Sequence, residues 1–346
     1  MHANTALLGV ALMLTLTARR LLLAAMAASL LIAAIDTAFA QYVSNIRVLK
    51  LTDYLTAFYD GRPEAPPPKT DKPRTWIEYG SMDLGIATYV IHRGSHALVY
   101  DTFPTVEQAK WVRSYLERMG INRFTVVNSH FHLDHVGGNE AYRDDIIIAS
   151  KGTRDTLIDR KEAIETGKMW GPPPVSPLIL PNAVFERRMD IVIGDVKVEL
   201  HNVNIHTPDS TVAYISTDKI LLPGDTIEDS VVFISTPDNV AEQISNLTAM
   251  QDWDIARIYP NHGNIAVIRK GGYDKGLIEA TRIYLRNMIR RAKDPDFLNI
   301  SLEAVIGVSL DKGWISLWEP YRHVHEVNRK RLHDLYKDKP LPVLPD

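Results

Sequence analysis

The chain has 346 residues, of which 45% are hydrophobic and 23% are charged, so it can bury a large core and does not have the composition of a disordered protein. Its net charge of −3 excludes a broad electrostatic attraction to nucleic acid. The absence of cysteine excludes a disulfide framework, a thiolate nucleophile and a thiolate metal ligand, so any metal ligands must be His, Asp or Glu.

The first forty residues have the pattern of a secretory signal. Arg19 and Arg20 precede an apolar run over residues 21–35, and Ala38-Phe39-Ala40 is a small-x-small cleavage pattern before Gln41. We therefore predict a signal peptide over residues 1–40, with Met13 as an alternative start. An uncleaved membrane anchor is the other interpretation, but the apolar run is shorter than the about 18 residues that span a bilayer. The mature protein is predicted to be periplasmic or secreted, without stable membrane association.

The mature chain is predicted to form a single domain, residues 41–346. It opens with residues 43–59, which fit an edge strand or a helix, and a Pro-rich run at 61–68 that is typical of a surface loop. A regular pattern begins at about residue 75. Strands are predicted at 76–79, 86–91, 97–100 and 124–128, with an amphipathic helix over 105–119 that ends at Gly120.

The second half repeats the order of strands followed by helices. Residues 170–181 are the longest irregular segment and fit a binding loop or lid as well as a surface connection. The remaining strands are predicted at 146–149, 189–193, 196–203, 211–216, 220–222 and 255–259. The remaining helices are predicted at 151–166, 240–250, 273–292, 302–310 and 320–336. The repeat indicates a layered, duplicated architecture with a core over about 75–265 and a helical C-terminal extension over about 272–338.

The most distinctive stretch is Ser129-His130-Phe131-His132-Leu133-Asp134-His135, which places three imidazoles and a carboxylate in one turn. It follows a predicted strand, at the end where an open α/β sheet exposes its ligand crevice. His130 and His132 can converge on one metal ion, while Asp134 and His135 can face a second ion. A surface turn with coincidental histidines is the alternative.

Three further candidates stand at strand ends downstream: His206, Asp225 and His262. Each follows an apolar strand and precedes a turn-forming residue, so all three can lie at the same edge of the sheets as the cluster. A site with two metal ions needs about six or seven nitrogen and oxygen ligands and an open face for the substrate. The cluster and these three residues together supply that number.

The His-x-His-x-Asp-His turn, followed by His, Asp and His each after a strand, resembles the metallo-β-lactamase superfamily of two-zinc hydrolases. The resemblance extends from about Thr75 to His262, and Asp101 at its own strand end is the first of five motifs in the family's order. It implies an α+β or α/β fold, a four-layer αββα sandwich with the metals at one edge, here with C-terminal helices. The sequence departs from the family after His206, where His206-Thr207-Pro208-Asp209-Ser210 lacks the glycine that many members have shortly after this histidine.

The resemblance implies two zinc ions per chain. His130, His132 and His206 would bind one ion, Asp134, His135 and His262 would bind the other, and Asp225 would bridge them. Asp101 would hydrogen-bond the turn that carries the ligands. Asp134 is also the candidate catalytic residue, because it would orient a zinc-activated bridging hydroxide and accept its proton.

We therefore predict an exported, metal-dependent hydrolase that opens a small carbonyl substrate: a lactone, a β-lactam, an ester or a thioester. A diiron redox enzyme of the same fold is an alternative, although that branch usually has a carboxylate where this chain has His132. A non-catalytic zinc-binding protein is another, although no ligand is missing. The partner is predicted to be a small molecule and not a nucleic acid, while the substrate, the metal in vivo and the oligomeric state stay open.

Four aromatic residues, Phe131, Trp170, Tyr214 and Phe233, are candidates for the pocket lining, with apolar core as the alternative for each. His323 and His325 lie two apart on a predicted helix and therefore point to different faces, which excludes joint chelation of one ion.

Overall fold

The computed structural model describes residues 45–63 and 73–345, so the predicted signal peptide lies outside the described residues. From Asn45 onward the chain forms one compact unit. Two β-sheets account for most of its core, and helices cover them.

The first sheet contains seven strands that lie side by side in chain order. The strands are β1 (Arg47–Lys50), β2 (Leu55–Asp60), β3 (Ile86–Arg93), β4 (His96–Tyr100), β5 (Arg123–Val127), β6 (Ile146–Ser150) and β7 (Ala183–Phe185). Pairing is antiparallel from β1 to β4 and parallel from β4 to β7. The region that fits an edge strand or a helix therefore forms two strands, and the sheet begins upstream of residue 75.

The second sheet has five strands in the order β12-β11-β10-β9-β8. They are β8 (Arg188–Ile193), β9 (Val196–Asn202), β10 (Thr211–Ile215), β11 (Ile220–Leu222) and β12 (Arg257–Ile258). Only the β11–β12 pair is parallel within the described residues. These strands match their predicted positions to within a few residues.

Successive side chains of a strand point to opposite faces of the sheet, so one strand contributes apolar side chains to the layers on both sides. In β2, Ala57 and Tyr59 join the large apolar cluster that also contains the second sheet, while Phe58 between them joins a smaller cluster on the other face. That smaller cluster includes Val112 and Leu116 of helix α1 (Val106–Arg118). A fully buried Val, Leu or Phe side chain among these contributes about 1.5–3 kcal/mol to folding.

The other helices are α2 (Leu133–Val136), α3 (Lys151–Glu165), α4 (Val240–Gln251), α5 (Ile265–Arg269), α6 (Gly276–Arg291), α7 (Leu302–Asp311) and α8 (Tyr321–Tyr336). Five of them lie where a helix is predicted, and the two short ones, α2 and α5, are additional. Helix α3 packs against β6 and β7, α4 packs against α6, and α6 contacts both α7 and α8. With helices outside two facing sheets, the predicted αββα sandwich with C-terminal helices is confirmed.

One predicted strand is wrong. Residues 76–79 are not extended, because Ile77–Met82 forms a π-helical segment. Thr75 and Glu78 explain its start: the Thr75 backbone nitrogen donates to Glu78 Oε2 at 2.7 Å, and the Glu78 nitrogen donates back to the Thr75 hydroxyl at 3.4 Å. These reciprocal bonds resemble a capping box, which outweighs the strand preference of Trp76, Ile77 and Tyr79.

A search of the described residues finds no helix with the length and apolar character that a membrane crossing requires.

Candidate metal centre

Strand ends bring the predicted ligands together. The turn that carries the first four ligands follows β5, His206 lies between β9 and β10, Asp225 follows β11, and His262 follows β12. All seven side chains are buried: His130, His132, Asp134, His135, His206, Asp225 and His262. Four separate segments of the chain therefore meet at one edge of the sandwich.

The seven residues divide into two groups of converging ligand atoms, in each of which the atoms lie within 4.8 Å of one another. One group is His130, His132, His206 and Asp225, and the other is Asp134, His135, Asp225 and His262. The division is the one that the resemblance implies, with Asp225 common to both groups.

Asp225 Oδ2 is the centre of this arrangement. It lies 3.0 Å from His135 Nε2, 3.4 Å from His262 Nε2, 3.7 Å from His130 Nε2 and 3.9 Å from His206 Nε2. A single carboxylate oxygen therefore faces imidazoles from both groups, as a residue shared by two neighbouring cations would.

Hydrogen bonds fix the far side of several imidazoles. His206 Nδ1 donates to the Phe233 carbonyl at 2.9 Å, and His262 Nδ1 donates to the Gly85 carbonyl at 2.6 Å. Because a carbonyl can only accept, each bond leaves the Nε2 lone pair of a neutral imidazole free to face the centre. His135 Nδ1 is bonded to Asp101 Oδ2 at 2.8 Å, with the same effect.

Backbone geometry at the centre is also restricted. His206 has φ +68° and Asp101 has φ +66°, a left-handed conformation that is uncommon for residues with a Cβ. Gly224, next to Asp225, has φ +61°, and an added Cβ would come within 2.9 Å of Ser129 Cβ. Only glycine fits at this position, because the turn carrying Asp225 passes directly over the turn carrying the histidines.

The two groups differ in charge. Burial lowers the pKa of His130 and His132 well below its usual range and that of His206 to about 4, so these imidazoles are neutral, the form that binds a metal. Burial acts in the same direction on His135 and His262, but the nearby carboxylates outweigh it and raise the pKa of both. The second group therefore holds protons that a metal ion would displace.

The residues fit a divalent metal pair. His130 Nε2 and Asp225 Oδ1 are buried and have no hydrogen-bond partner among the described residues, although buried polar atoms normally have one. Both belong to the converging groups, and the donor set of imidazole and carboxylate suits zinc and other first-row metals. Metal coordination would satisfy both atoms.

A cavity of about 290 Å³ opens onto the centre. Ligands from both groups line it, among them His132, Asp134, Asp225 and His262, and its remaining walls are mostly apolar. Trp76, Leu84, Trp170, Phe233, Val324 and Val327 form those walls. A small, mainly apolar molecule can therefore reach the candidate ligands.

The sequence profile of the metallo-beta-lactamase superfamily matches residues 82–262, which is more than half of the chain. The chain belongs to the metallo-beta-lactamase superfamily. The match ends at His262 and includes all seven candidate ligands. The family resemblance stated from the motifs is thus confirmed.

Two curated relatives of this metallo-beta-lactamase superfamily member are similar over part of their length. A "Beta-lactamase-like protein 2 homolog" from Caenorhabditis elegans is 23% identical over 61% of this chain and 64% of its own. An "Atrochrysone carboxyl ACP thioesterase" from Claviceps purpurea (strain 20.1) is 30% identical over 29% of this chain and 34% of its own. The matched regions therefore cover less than two thirds of either relative.

Solved structures show the same fold. A metallo-beta-lactamase from Pontibacter korlensis superposes with a TM-score of 0.53 at 16% identity, over 70% of this chain and 100% of its own. VMB-1 superposes with a TM-score of 0.50 at 18% identity, over 69% of this chain and 95% of its own.

This superfamily member has cavity residues that the sequence did not indicate. His323 of α8 was excluded from a joint chelating role, yet it lines the cavity opposite the ligands, where its ring is 6.0 Å from that of Tyr79. Glu228 also lines the cavity and accepts from the Tyr321 hydroxyl at 3.0 Å. Burial raises the pKa of Glu228 to about 8. Glu228 lies three residues after Asp225, whereas only the tertiary packing of α8 brings His323 to the cavity.

Of the four aromatic residues predicted as candidates for the pocket lining, some line the cavity and others pack elsewhere. Trp170 and Phe233 line the cavity, and Phe131 packs on His132 with ring centroids 4.7 Å apart. Tyr214 does not line it, because its ring packs on Trp253 and its hydroxyl donates to the Asp254 carbonyl. Trp170 begins the irregular segment 170–181, so that segment contributes to the pocket at least at its first residue.

Proposed function

We propose that this chain is a metal-dependent hydrolase that opens a small carbonyl substrate, such as a lactone, a β-lactam, an ester or a thioester. One observation carries the proposal: two groups of ligand atoms share Asp225 and face an open cavity. A purely structural zinc site needs four ligands and no open position. The two groups offer more ligands than that and leave substrate access.

The chain's residues would hold two zinc ions in the two groups described above. Bound there, the ions would supply a Lewis acid for the carbonyl oxygen and a nucleophile formed from water at neutral pH. The imidazoles would bind as neutral ligands once the ions displace the protons of His135 and His262, and the contacts of His135, His206 and His262 at Nδ1 fix their tautomers.

Asp134 is the residue that we assign to proton transfer. Its Oδ2 lies 3.2 Å from His262 Nε2 and 3.5 Å from His135 Nε2, and it accepts from the Ser81 hydroxyl at 3.2 Å. These contacts outweigh burial and hold the pKa of Asp134 well below its usual range. The carboxylate is therefore ionised and can orient an attacking water by accepting its hydrogen bond at Oδ2, whereas the low pKa means that it would hold the transferred proton only transiently.

The apolar walls give the substrate its position. Trp76 and Trp170 pack with ring centroids 6.0 Å apart, and the Trp76 indole nitrogen donates to the Pro173 carbonyl at 2.9 Å. This contact ties the irregular segment to the π-helical segment across the cavity mouth. Walls held in this way exclude water from the apolar part of a bound substrate and fix its carbonyl beside the ligands.

The test measures metal content and hydrolysis on the same samples. We expect about two zinc ions per chain by mass spectrometry, and hydrolysis of at least one member of a panel containing nitrocefin, a lactone, an ester and a thioester. The Claviceps relative named as a thioesterase is the reason for including the thioester. Asp134→Ala is expected to lower kcat by at least about 100-fold.

Asp159→Ala is the matched control, since Asp159 is exposed on α3. It should retain both metal content and hydrolysis. One zinc ion or none, or two irons without hydrolysis of any panel member, would contradict the proposal and favour the non-catalytic or diiron alternatives.

We also propose that the protein acts after export, in the periplasm or outside the cell. Support comes from the charged, apolar and small-x-small pattern of residues 1–40. We expect mass spectrometry of the protein recovered from a host's periplasm to give an N-terminus at Gln41. Recovery of the full-length chain from the membrane fraction would instead support the anchor.

A further inference from the structure

A second cavity adjoins the first. Its volume is about 430 Å³, and it shares His132, Trp170 and Phe233 with the cavity that opens onto the metal centre. A molecule bound at the candidate ligands can therefore extend past these three side chains into the second cavity.

The second cavity differs from the first in carrying positive charge. Arg160 of α3 and Arg331 of α8 both line it, together with the hydroxyls of Thr156, Ser235 and Thr236. By contrast, no lysine or arginine lines the first cavity among the described residues. Two helices that are far apart in the sequence therefore place positive charge beside the candidate metal centre.

Neither guanidinium has a carboxylate partner in the described part of the chain. Arg331 donates to the Ser235 carbonyl, while its Nε is buried without a hydrogen-bond partner. Among the described residues, Asp209 is the only carboxylate in the lining, and it already accepts from the Phe131 nitrogen at 3.1 Å and from the Thr153 hydroxyl at 2.8 Å. The cavity therefore has donors with unused capacity and an excess of positive charge.

Aromatic rings hold the two guanidiniums near the centre. Arg160 Cζ lies 4.8 Å from the Phe131 ring centroid, and Arg331 Cζ lies 5.3 Å from that of Phe233. Phe131 and Phe233 are in turn 4.7 Å and 6.3 Å from the His132 ring. One aromatic ring thus separates each guanidinium from a candidate metal ligand, a spacing that a small substrate can bridge.

We infer that the substrate is an anion, with a carboxylate or phosphate held by Arg160 and Arg331 while its carbonyl lies at the metal centre. The inference rests on the proposed function and adds to it the charge of the substrate. Guanidinium groups bind both kinds of oxyanion through paired N–H donors. Stacking on Phe131 and Phe233 orders the two side chains before the anion binds.

A pair of esters that differ only in charge tests the inference. In mono-4-nitrophenyl glutarate a carboxylate replaces the terminal methyl of 4-nitrophenyl valerate, so the two substrates have the same chain length and leaving group. We expect the zinc-loaded protein to prefer the glutarate ester. In Arg160→Gln/Arg331→Gln, the ratio of kcat/KM for the glutarate ester over the valerate ester should fall by about tenfold or more, mainly through KM.

Lys330→Gln is the matched control, because it removes a positive charge next to Arg331 in the sequence. The side chain of Lys330 is exposed and pairs with Asp334. This variant should keep the wild-type ratio. An equal ratio in the wild type, Lys330→Gln and the double arginine variant would overturn the inference and leave the hydrolase proposal intact.

A binding measurement separates the inference from the hydrolase proposal. Calorimetry with glutarate and with inorganic phosphate, on zinc-loaded wild type and on the double arginine variant, should show weaker binding to the variant by about tenfold. The tighter of the two ligands would identify the oxyanion. Equal affinity for both proteins would overturn the inference even if neither ester is hydrolysed, whereas failure of hydrolysis alone would count against the proposed function.

Discussion

Asp101 is buried at the end of β4 and joins two parts of the candidate metal centre. Its Oδ1 accepts from the Ser129 nitrogen at 2.7 Å, and its Oδ2 contacts His135 Nδ1 at 2.8 Å and accepts from Asn261 Nδ2 at 2.7 Å. The turn with four ligands and the loop with His262 are therefore tied to one carboxylate. Through these hydrogen bonds Asp101 sets the orientation of the candidate metal ligands, although Asp101 is not itself a candidate ligand.

Replacing Asp101 with Asn tests this role. All three partners are donors, so the amide of Asp101→Asn must point its own NH₂ group at one of them. We expect zinc affinity to fall by about 10- to 100-fold, measured by competition with a chelating indicator. Asp195→Asn, which alters an exposed carboxylate paired with Arg93, should not change it. Unchanged affinity in Asp101→Asn would contradict this role.

Some residues of the candidate site could be predicted from the sequence and others could not, and the difference has a physical reason. His130 and Asp225 could be found because metal binding requires imidazoles and carboxylates, and strand ends are where a sheet presents them together. Glu228 and Arg331 could not, since Glu228 lies in an irregular segment and Arg331 on a helix, and glutamate and arginine at such positions are usually solvent-exposed. Their roles come from contacts with residues about a hundred positions away in the chain or in the other half of the fold.

Among the elements, α8 does most to distinguish this chain from the family's matched region. It begins after residue 262, packs on α6, and presents Val324 and Val327 to the first cavity and Arg331 to the second. Its buried face includes His325, whose Nε2 donates to the Ile300 carbonyl at 3.0 Å. Helix α8 is therefore both a wall of the pocket and part of the core.

His325 makes the packing of α8 sensitive to acid. Burial, the largest effect, lowers its pKa to about 4, the charge of Arg329 acts in the same direction, and the Ile300 carbonyl and Glu303 act against both. The folded pKa lies below the unfolded value, so the unfolded chain binds more protons between about pH 4 and pH 6.5. The free energy of unfolding should therefore fall as pH decreases through that window, by on the order of 2 kcal/mol from this residue.

The change His325→Gln removes the titrating group. We expect urea unfolding at pH 7.5 and at pH 5 to show a smaller loss of stability in this variant than in the wild type, whatever its stability at pH 7.5. His333→Gln, on a partly exposed position of the same helix, should lose as much as the wild type. Equal losses in all three proteins would rule out His325 as a source of the acid sensitivity.

Helices and strands were predicted well where the period of apolar residues determines the structure. They were predicted poorly where a local side-chain contact determines it. Strands β3 to β6 and β8 to β12 and helices α4, α6, α7 and α8 lie close to their predicted positions, because alternating or amphipathic patterns matched their burial. Strands β1 and β2 lie in a region left open between a strand and a helix, and β7 was not predicted. The segment Ile77–Met82 was missed, because Trp76 and Tyr79 have strand preferences while Thr75 and Glu78 carry the weaker signal of a helix start.

At the scale of the whole molecule, the metal centre joins the two sheets. The turn that carries four of the candidate ligands follows β5 of the first sheet, whereas Asp225 and His262 follow β11 and β12 of the second sheet. Bound metal would therefore link parts of the chain that unfolding separates. Unfolded chain has no such preformed site.

Removing the metal should lower the melting temperature. A ligand present at 1,000 times its Kd stabilises the folded state by about 4 kcal/mol, so we expect excess chelator to lower Tm by on the order of 10 °C. Differential scanning calorimetry before and after chelation, and again after zinc is restored, measures the shift. His132→Ala, which lacks a ligand of the first group, should shift less. Identical Tm values with and without chelator would show that the centre does not bind metal in the folded protein.

The position of α8 late in the sequence also orders events during synthesis. Every candidate ligand has left the ribosome once His262 has emerged, but the pocket wall formed by Val324, Val327 and Arg331 has not yet been made. A nascent chain at that stage has every candidate metal ligand and Arg160, but it lacks the part of the pocket wall that α8 supplies. Under the proposed function, substitutions in α8 would alter the choice of substrate while the candidate ligands are kept.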